Sequence, residues 1–166
     1  MRRTQLTATR SARQDMTRAA LDIGPLRADE RAAWEPLASG YMGFYKTVKS
    51  AADYDTAWSR LLRQDGIHGL GARHEGRLVG IAHYYFHSSV WAPVVCYLQD
   101  LFVLTEQRGL GVARALIEAV ATAARERQAA RFYWLTQDHN ATARNLYDKV
   151  ARFNGFIRYD YPIEGG

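Results

Sequence analysis

Three stretches predict an α/β domain with a mixed, mostly antiparallel central sheet of six to seven strands and flanking helices. Ile67 to His74 and Arg77 to His87 read as strands meeting at Glu75-Gly76, a hairpin signature. Tyr97 to Glu118 passes from an apolar strand through a polar turn with two glycines into an amphipathic helix. That helix returns the chain to Phe132 to Thr136, so a strand–helix–strand crossover follows an antiparallel, local first half.

In chain order, Leu21 to Leu26 reads as a first strand, and Asp29 is placed to cap a helix carrying Trp34, Leu37 and Tyr41 on one face. Pro36 shortens or bends that helix unless it lies in the first turn. Tyr41 to Lys46 is an aromatic cluster where a loop is expected, either lining a substrate mouth or covering the core. A second helix is expected from Asp55 to Arg63, with Trp58, Leu61 and Leu62 apolar. After the hairpin and a loop at Ser88 to Pro93, Val94 to Leu104 is a nearly continuous apolar run, the pattern of a strand buried on both faces. Val112, Leu116, Ile117, Val120 and Ala124 then repeat at helical spacing, so a helix should begin near Gly109. A last helix should run from Asp138 or His139 to Phe153, ended by Gly155, with Phe156 to Tyr161 as a final strand.

At 166 residues the chain suits one domain, placed at residues 20–166. A single cysteine excludes an intramolecular disulfide, and no apolar run approaches membrane-spanning length, so a cytoplasmic protein without membrane partners is expected. The net charge of +5 suggests nucleic acid, but residues 1–18 hold five arginines against one aspartate, while the remainder has 17 basic and 16 acidic residues. The basic balance therefore belongs to an N-terminal extension, residues 1–19, expected to be flexible. Its Arg-rich composition is also that of a transit peptide, though without an apolar face, and Met16 could be an alternative start. No nucleic-acid partner is expected. His83, His87 and Cys96 have no tight ligand spacing, so no metal is expected either.

Gly109 and Gly111 fall at the start of the long helix, where the first amides lack helical acceptors, the dipole end is positive, and an absent Cβ admits close approach. The pair suits either a phosphate site or a plain structural turn. A nucleoside-triphosphate loop would need Gly-Lys-Ser/Thr, but Val112, Ala113 and Arg114 follow Gly111. A dinucleotide fingerprint would need glycine or alanine where Arg114 stands. Downstream, Asn140, Ala143 and Tyr147 share a helix face: an amide for hydrogen bonding, a small residue and a phenol. They could equally start the helix and pack on the sheet.

With both segments in this order, the chain resembles the GNAT superfamily of acetyl-CoA-dependent N-acetyltransferases. Arg108-Gly109-Leu110-Gly111-Val112-Ala113 matches its Arg/Gln-x-x-Gly-x-Gly/Ala motif, and Asn140-x-x-Ala143-x-x-x-Tyr147 with Gly155-Phe156 matches its later motif. Tyr97 to Val103 is similar to the polyamine and histone acetyltransferase branch, with Gln99 where Glu or Asn is usual. The resemblance covers roughly residues 20–161. It implies a splayed cofactor cleft, with pantetheine along Leu101 and Val103 and pyrophosphate on the amides of Arg108 to Ala113. Arg108 and Arg114 would add charge, and Asn140, Ala143 and Tyr147 would complete the acetyl-CoA site. It also implies a homodimer.

The chemistry implied is direct attack by a primary amine on the thioester in a ternary complex. Backbone N–H near Val103 would serve the oxyanion. Tyr147, with a phenol pKa of about 10, would donate to a leaving thiolate of pKa about 8.5. Asp100 is a carboxylate in an apolar strand, so either proton handling or a structural hydrogen bond is expected of it. His83 and His87 share a strand face and could relay protons, while Glu35, Tyr41 and Phe44, with Asp100, are the candidates for holding a cationic substrate. A small polyamine-like amine is the favoured acceptor. Protein lysine and a non-catalytic acyl-CoA-binding module are the alternatives.

Overall fold

The computed structural model describes residues 21–163, and the expected N-terminal extension lies outside the described residues. The chain divides into two compact units after Leu135.

The first unit contains β1 (Leu21–Pro25), β2 (Ile67–His74), β3 (Arg77–Ser89), β4 (Ala92–Val103) and β5 (Phe132–Trp134), with helices α1 (Arg31–Phe44), α2 (Ala51–Arg63) and α3 (Val112–Glu126). Spatial strand order follows sequence order; β1 to β4 pair antiparallel, and β5 joins β4 in parallel after the α3 crossover. At the hairpin both turn residues are left-handed, Glu75 at φ 51° and Gly76 at φ 75°, which suits the twist of a two-residue connection.

The six to seven strands expected become five among the described residues. Phe156 to Tyr161, expected as a strand, is irregular and exposed: alternating apolar residues supply strand propensity but not a pairing partner. The loop expected at Tyr41 to Lys46 is helical through Phe44. The first helix starts at Arg31 rather than at Asp29, which sits in a 3-10 turn, Ala28–Glu30. Pro36 is therefore in the second turn of α1, and the helix continues past it. The second helix begins earlier than expected, at Ala51, because Ser50 and Asp53 form a capping box. β3 and β4 run almost to their tip, reducing the expected loop to Val90 and Trp91, whereas β5 stops at Trp134.

α1 and α2 cover one sheet face through Trp34, Leu37, Ala38, Trp58 and Leu61, packed with Leu78, Ile81 and Phe102. α3 buries Val112, Leu116, Ile117 and Val120, and Val112 and Leu116 lie over Gly80. Arg73, 2% exposed, ties β1, β2 and the 3-10 turn together. It donates to both Glu30 carboxylate oxygens at 2.6 and 2.7 Å and to the Pro25 carbonyl at 2.9 Å. Such bidentate pairing is what makes a buried guanidinium tolerable.

The second unit contains α4 (Ala141–Val150), which ends before the expected Phe153, and an irregular segment after it.

Candidate active site

Beyond Leu98 the sheet opens. β4 pairs with β5 only at Cys96, Tyr97 and Leu98. The next residue, Gln99, is a bulge: Leu98 faces Tyr84 and Asp100 faces His83, leaving Gln99 without a counterpart on β3. An extra residue bends its strand and increases the local twist, which turns β4 away from its short parallel neighbour. The Leu104 amide donates to the Val79 carbonyl, so by alternation the main-chain groups of Leu101 and Val103 face the edge away from β3. A strand edge of this kind accepts an extended ligand by main-chain hydrogen bonding.

After β4 a 3-10 turn, Thr105–Gln107, leads to the glycines. Gly109 (φ 79°) and Gly111 (φ 88°) are left-handed, and an added Cβ at either would meet nothing within 4 Å. The first regular helical residue is Val112, three places after Gly109. Gly111 is the N-cap of α3 and has no side chain of its own to satisfy the first amides of the helix. The turn therefore fits a pyrophosphate through a positive dipole end and the open space beside both glycines.

The arginines expected to assist have protein partners. Arg108 Nε donates to the Val103 carbonyl at 3.3 Å, with the guanidinium 5.7 Å from the Phe102 ring centre. Arg114 pairs with Glu118 at 4.0 Å, one helical turn on. Val112 is buried in the core, so only its main chain can serve a ligand here, whereas Leu110 and Ala113 are half-buried.

On the other side of β4, α1 reaches the bulge twice. Trp34 Nε1–H donates to His83 Nε2 at 2.9 Å, and His83 Nδ1 lies 2.9 Å from Asp100 Oδ2. Gln99 Nε2 is 3.5 Å from the same oxygen. Two turns after Trp34, the Tyr41 hydroxyl donates to the Gln99 carbonyl at 3.1 Å. Burial, then the charge of Asp100 and the neighbouring Tyr45, push the Tyr41 phenol far above the ordinary tyrosine range, so it stays protonated. Asp100 and His83 are 6% and 7% exposed. Burial of a carboxylate in an apolar strand is thus met by pairing.

The remaining candidates disperse. Glu35 accepts from Arg31, which also binds Asp55, so its charge is already compensated. Phe44 is half exposed and stacks edge-on with Tyr45. His87 lies 3.3 Å from the Tyr133 hydroxyl rather than in a relay with His83. Cys96 is fully buried, and desolvation pushes its thiol up to about 11, which leaves it unreactive at neutral pH. Among the described residues no cluster of three or more metal-ligating side chains occurs, and no helix is long and apolar enough to cross a membrane.

In the second unit Asn140 caps α4. Its Oδ1 accepts from the Ala143 amide at 3.3 Å and its Nδ2 donates to Thr136 Oγ1 at 3.2 Å. Tyr147 follows two turns later on the same face as Asn140.

Trp34 was expected only as one residue of the face that the first helix shares with Leu37 and Tyr41. Its indole N–H had no visible partner, because His83 is 49 positions away and meets it only once α1 lies across β3.

An open strand edge followed by a glycine turn at a helix start is a geometry that suits an extended, phosphate-bearing ligand. The chain belongs to the acetyltransferase (GNAT) family, whose model matches residues 32–153. By that membership it is an N-acetyltransferase. It is 34% identical over 134 residues to the D-amino-acid N-acetyltransferase HPA3 of Saccharomyces cerevisiae, covering 78% of this chain and 83% of the relative. It is 31% identical over 111 residues to the thialysine N-epsilon-acetyltransferase of Caenorhabditis elegans, covering 67% and 69% of the two chains. Among solved structures, the ribosomal-protein-alanine N-acetyltransferase from Brucella melitensis biovar Abortus 2308 matches with a TM-score of 0.70 at 26% identity, over 87% of this chain and all of that one.

Proposed function

We propose that the protein transfers an acetyl group from acetyl-CoA to the primary amine of a small molecule by direct attack in a ternary complex. The observation that carries this reading is the glycine cradle at the start of α3, directly after a strand whose edge opens beyond Leu98. The amides from Gly109 to Ala113 would hold the pyrophosphate, and the main chain of Leu101 and Val103 would hold the pantetheine. Acetyl-CoA supplies the activated acyl group and a thiolate leaving group.

The chain's own residues do the rest. A main-chain N–H near Val103 serves the developing oxyanion, and a donor already fixed in place needs no reorganisation during reaction. Tyr147 donates a proton or strong hydrogen bond to the leaving sulfur, since a phenol of pKa about 10 is protonated at neutral pH. Asn140 acts by starting the helix that carries Tyr147, both ends of its amide being used within the cap. Asp100, with the Tyr41 hydroxyl beside it, takes a proton from the incoming ammonium as general base and so frees the nitrogen lone pair that attacks the thioester. Named relatives act on a D-amino acid and on thialysine, both small molecules with an amine, which supports a free amine over a protein lysine. Polyamine-like amines remain in the proposed class.

The test is release of free thiol from acetyl-CoA with a panel of polyamines, D- and L-amino acids, thialysine and lysine peptides. Small amines should give turnover. Tyr147→Phe should lower kcat on the order of 10²-fold with little change in acetyl-CoA binding. Unchanged turnover in Tyr147→Phe across a wide pH range would remove Tyr147 from the mechanism.

A further inference from the structure

The buried line from Trp34 through His83 to Asp100 has a direction. An indole nitrogen can only donate, so His83 Nε2, 2.9 Å from Trp34 Nε1, must be the unprotonated, accepting nitrogen. In a neutral ring the proton then sits on Nδ1, which faces Asp100 Oδ2 at 2.9 Å. All three groups are almost fully buried, Trp34 at 1% exposure, so no solvent competes for these bonds. We infer that His83 is a positioning residue: held as the Nδ1–H tautomer by Trp34, it fixes the Asp100 carboxylate at the bulge of β4 and does not itself carry the substrate's proton.

The arrangement explains why one helix supplies both supports. Trp34 and Tyr41, seven residues apart on α1, hold the two sides of the same bulge, one through His83 and Asp100 and the other through the Gln99 carbonyl. The only basic nitrogen of His83 already accepts a hydrogen bond from a donor that has nowhere else to point. Removing a substrate proton through it would require breaking that bond inside the core, which leaves the indole N–H unsatisfied. A carboxylate oriented by an imidazole N–H behaves differently, since its other lone pairs stay available.

This inference rests on the role proposed for Asp100, and the experiment separates the two. Long-range ¹H–¹⁵N correlation spectra of the full chain at neutral pH should show the His83 ring protonated at Nδ1 and bare at Nε2; protonation at Nε2, or at both nitrogens, overturns the inference. In kinetics, Trp34→Phe combined with His83→Leu removes the indole and the imidazole together, so the Trp34 N–H is not left without its acceptor and Asp100 alone loses a partner. That pair should lower kcat roughly 10- to 100-fold, as loss of an orienting partner does, with KM for acetyl-CoA within about twofold. Replacing His83→Leu by His83→Asn in the same background restores a donor at the Nδ1 position and should recover about tenfold of the loss. A variant that is still stabilised by acetyl-CoA against heat, yet is not rescued by Asn, would show that His83 moves the proton itself. Full activity of the Leu pair alongside an inactive Asp100→Asn would overturn the role of His83 and leave that of Asp100 standing. Full activity of Asp100→Asn would overturn both.

Discussion

Arg73 and Glu30 show how much a single buried pair carries in a domain of this size. Arg73 is 2% exposed and Glu30 is its bidentate partner. Glu30→Gln keeps the shape but removes the bidentate countercharge of a buried guanidinium, leaving it Asp22 at 3.8 Å, and should destabilise the fold by about 3 kcal/mol. Urea unfolding would measure it, and a loss under about 1 kcal/mol would mean the pair is solvated. Neither this pair nor the His83–Asp100 bond was legible in the sequence, although half of the second was. Asp100 in an apolar strand announced a paired carboxylate; the identity of the partner depended on strand register, which a bulge at Gln99 resets. Arg73, inside the strand expected at Ile67 to His74, gave no such sign, since its neighbour Glu30 is 43 positions away.

The legible elements were those whose ends are set by local chemistry. The Glu75-Gly76 hairpin and the glycine turn before α3 could be read because left-handed positions select their residues. α1 could not be read to its end. Gly40 and Gly43 weaken a helix by propensity, yet the chain stays helical there because Gly40 lets the Phe102 ring approach and Tyr41 binds the Gln99 carbonyl. A Cβ at Gly40 would stand 2.5 Å from that ring, so Gly40→Ala should cost about 1–3 kcal/mol, against the usual gain from alanine in a helix. At α3 the expected effect is on binding. Gly111→Ala forces φ 88° on a residue with a Cβ, at a penalty of about 1–2 kcal/mol, and aims a methyl into the cradle. Its melting temperature should fall slightly, but the larger change should be loss of the thermal stabilisation given by coenzyme A. At the Ser50 capping box, Ser50→Ala should cost about 1 kcal/mol and leave coenzyme A stabilisation intact, because the box serves α2 and not the glycine turn before α3.

Across the described part of the molecule, two partly buried titratable groups contribute to the response to acid, and they act in separate pH ranges. His68 is stacked on Tyr84 at 5.1 Å; burial first, and then the charge of Arg127, hold its imidazole below the ordinary value of 6.5. Folding therefore favours the neutral ring, and stability declines as pH falls below about 6.5, where the unfolded chain takes up the proton more readily. Glu30 is opposed by burial, which raises its pKa, but hydrogen bonds from Arg73 and the Arg27 amide outweigh it and hold the carboxyl below 4.5. Its contribution is complete above that value and is lost as pH drops through the folded pKa, when the Arg73 pair loses its negative partner. A melting-temperature profile should fall in two stages, one below about pH 6.5 and a steeper one below about pH 4.5. His68→Gln should flatten the first stage and leave the second, while Glu30→Gln should lower the whole curve and remove the second. A single transition that neither substitution moves would mean that the acid response comes from the surface charge of the chain rather than from these two sites.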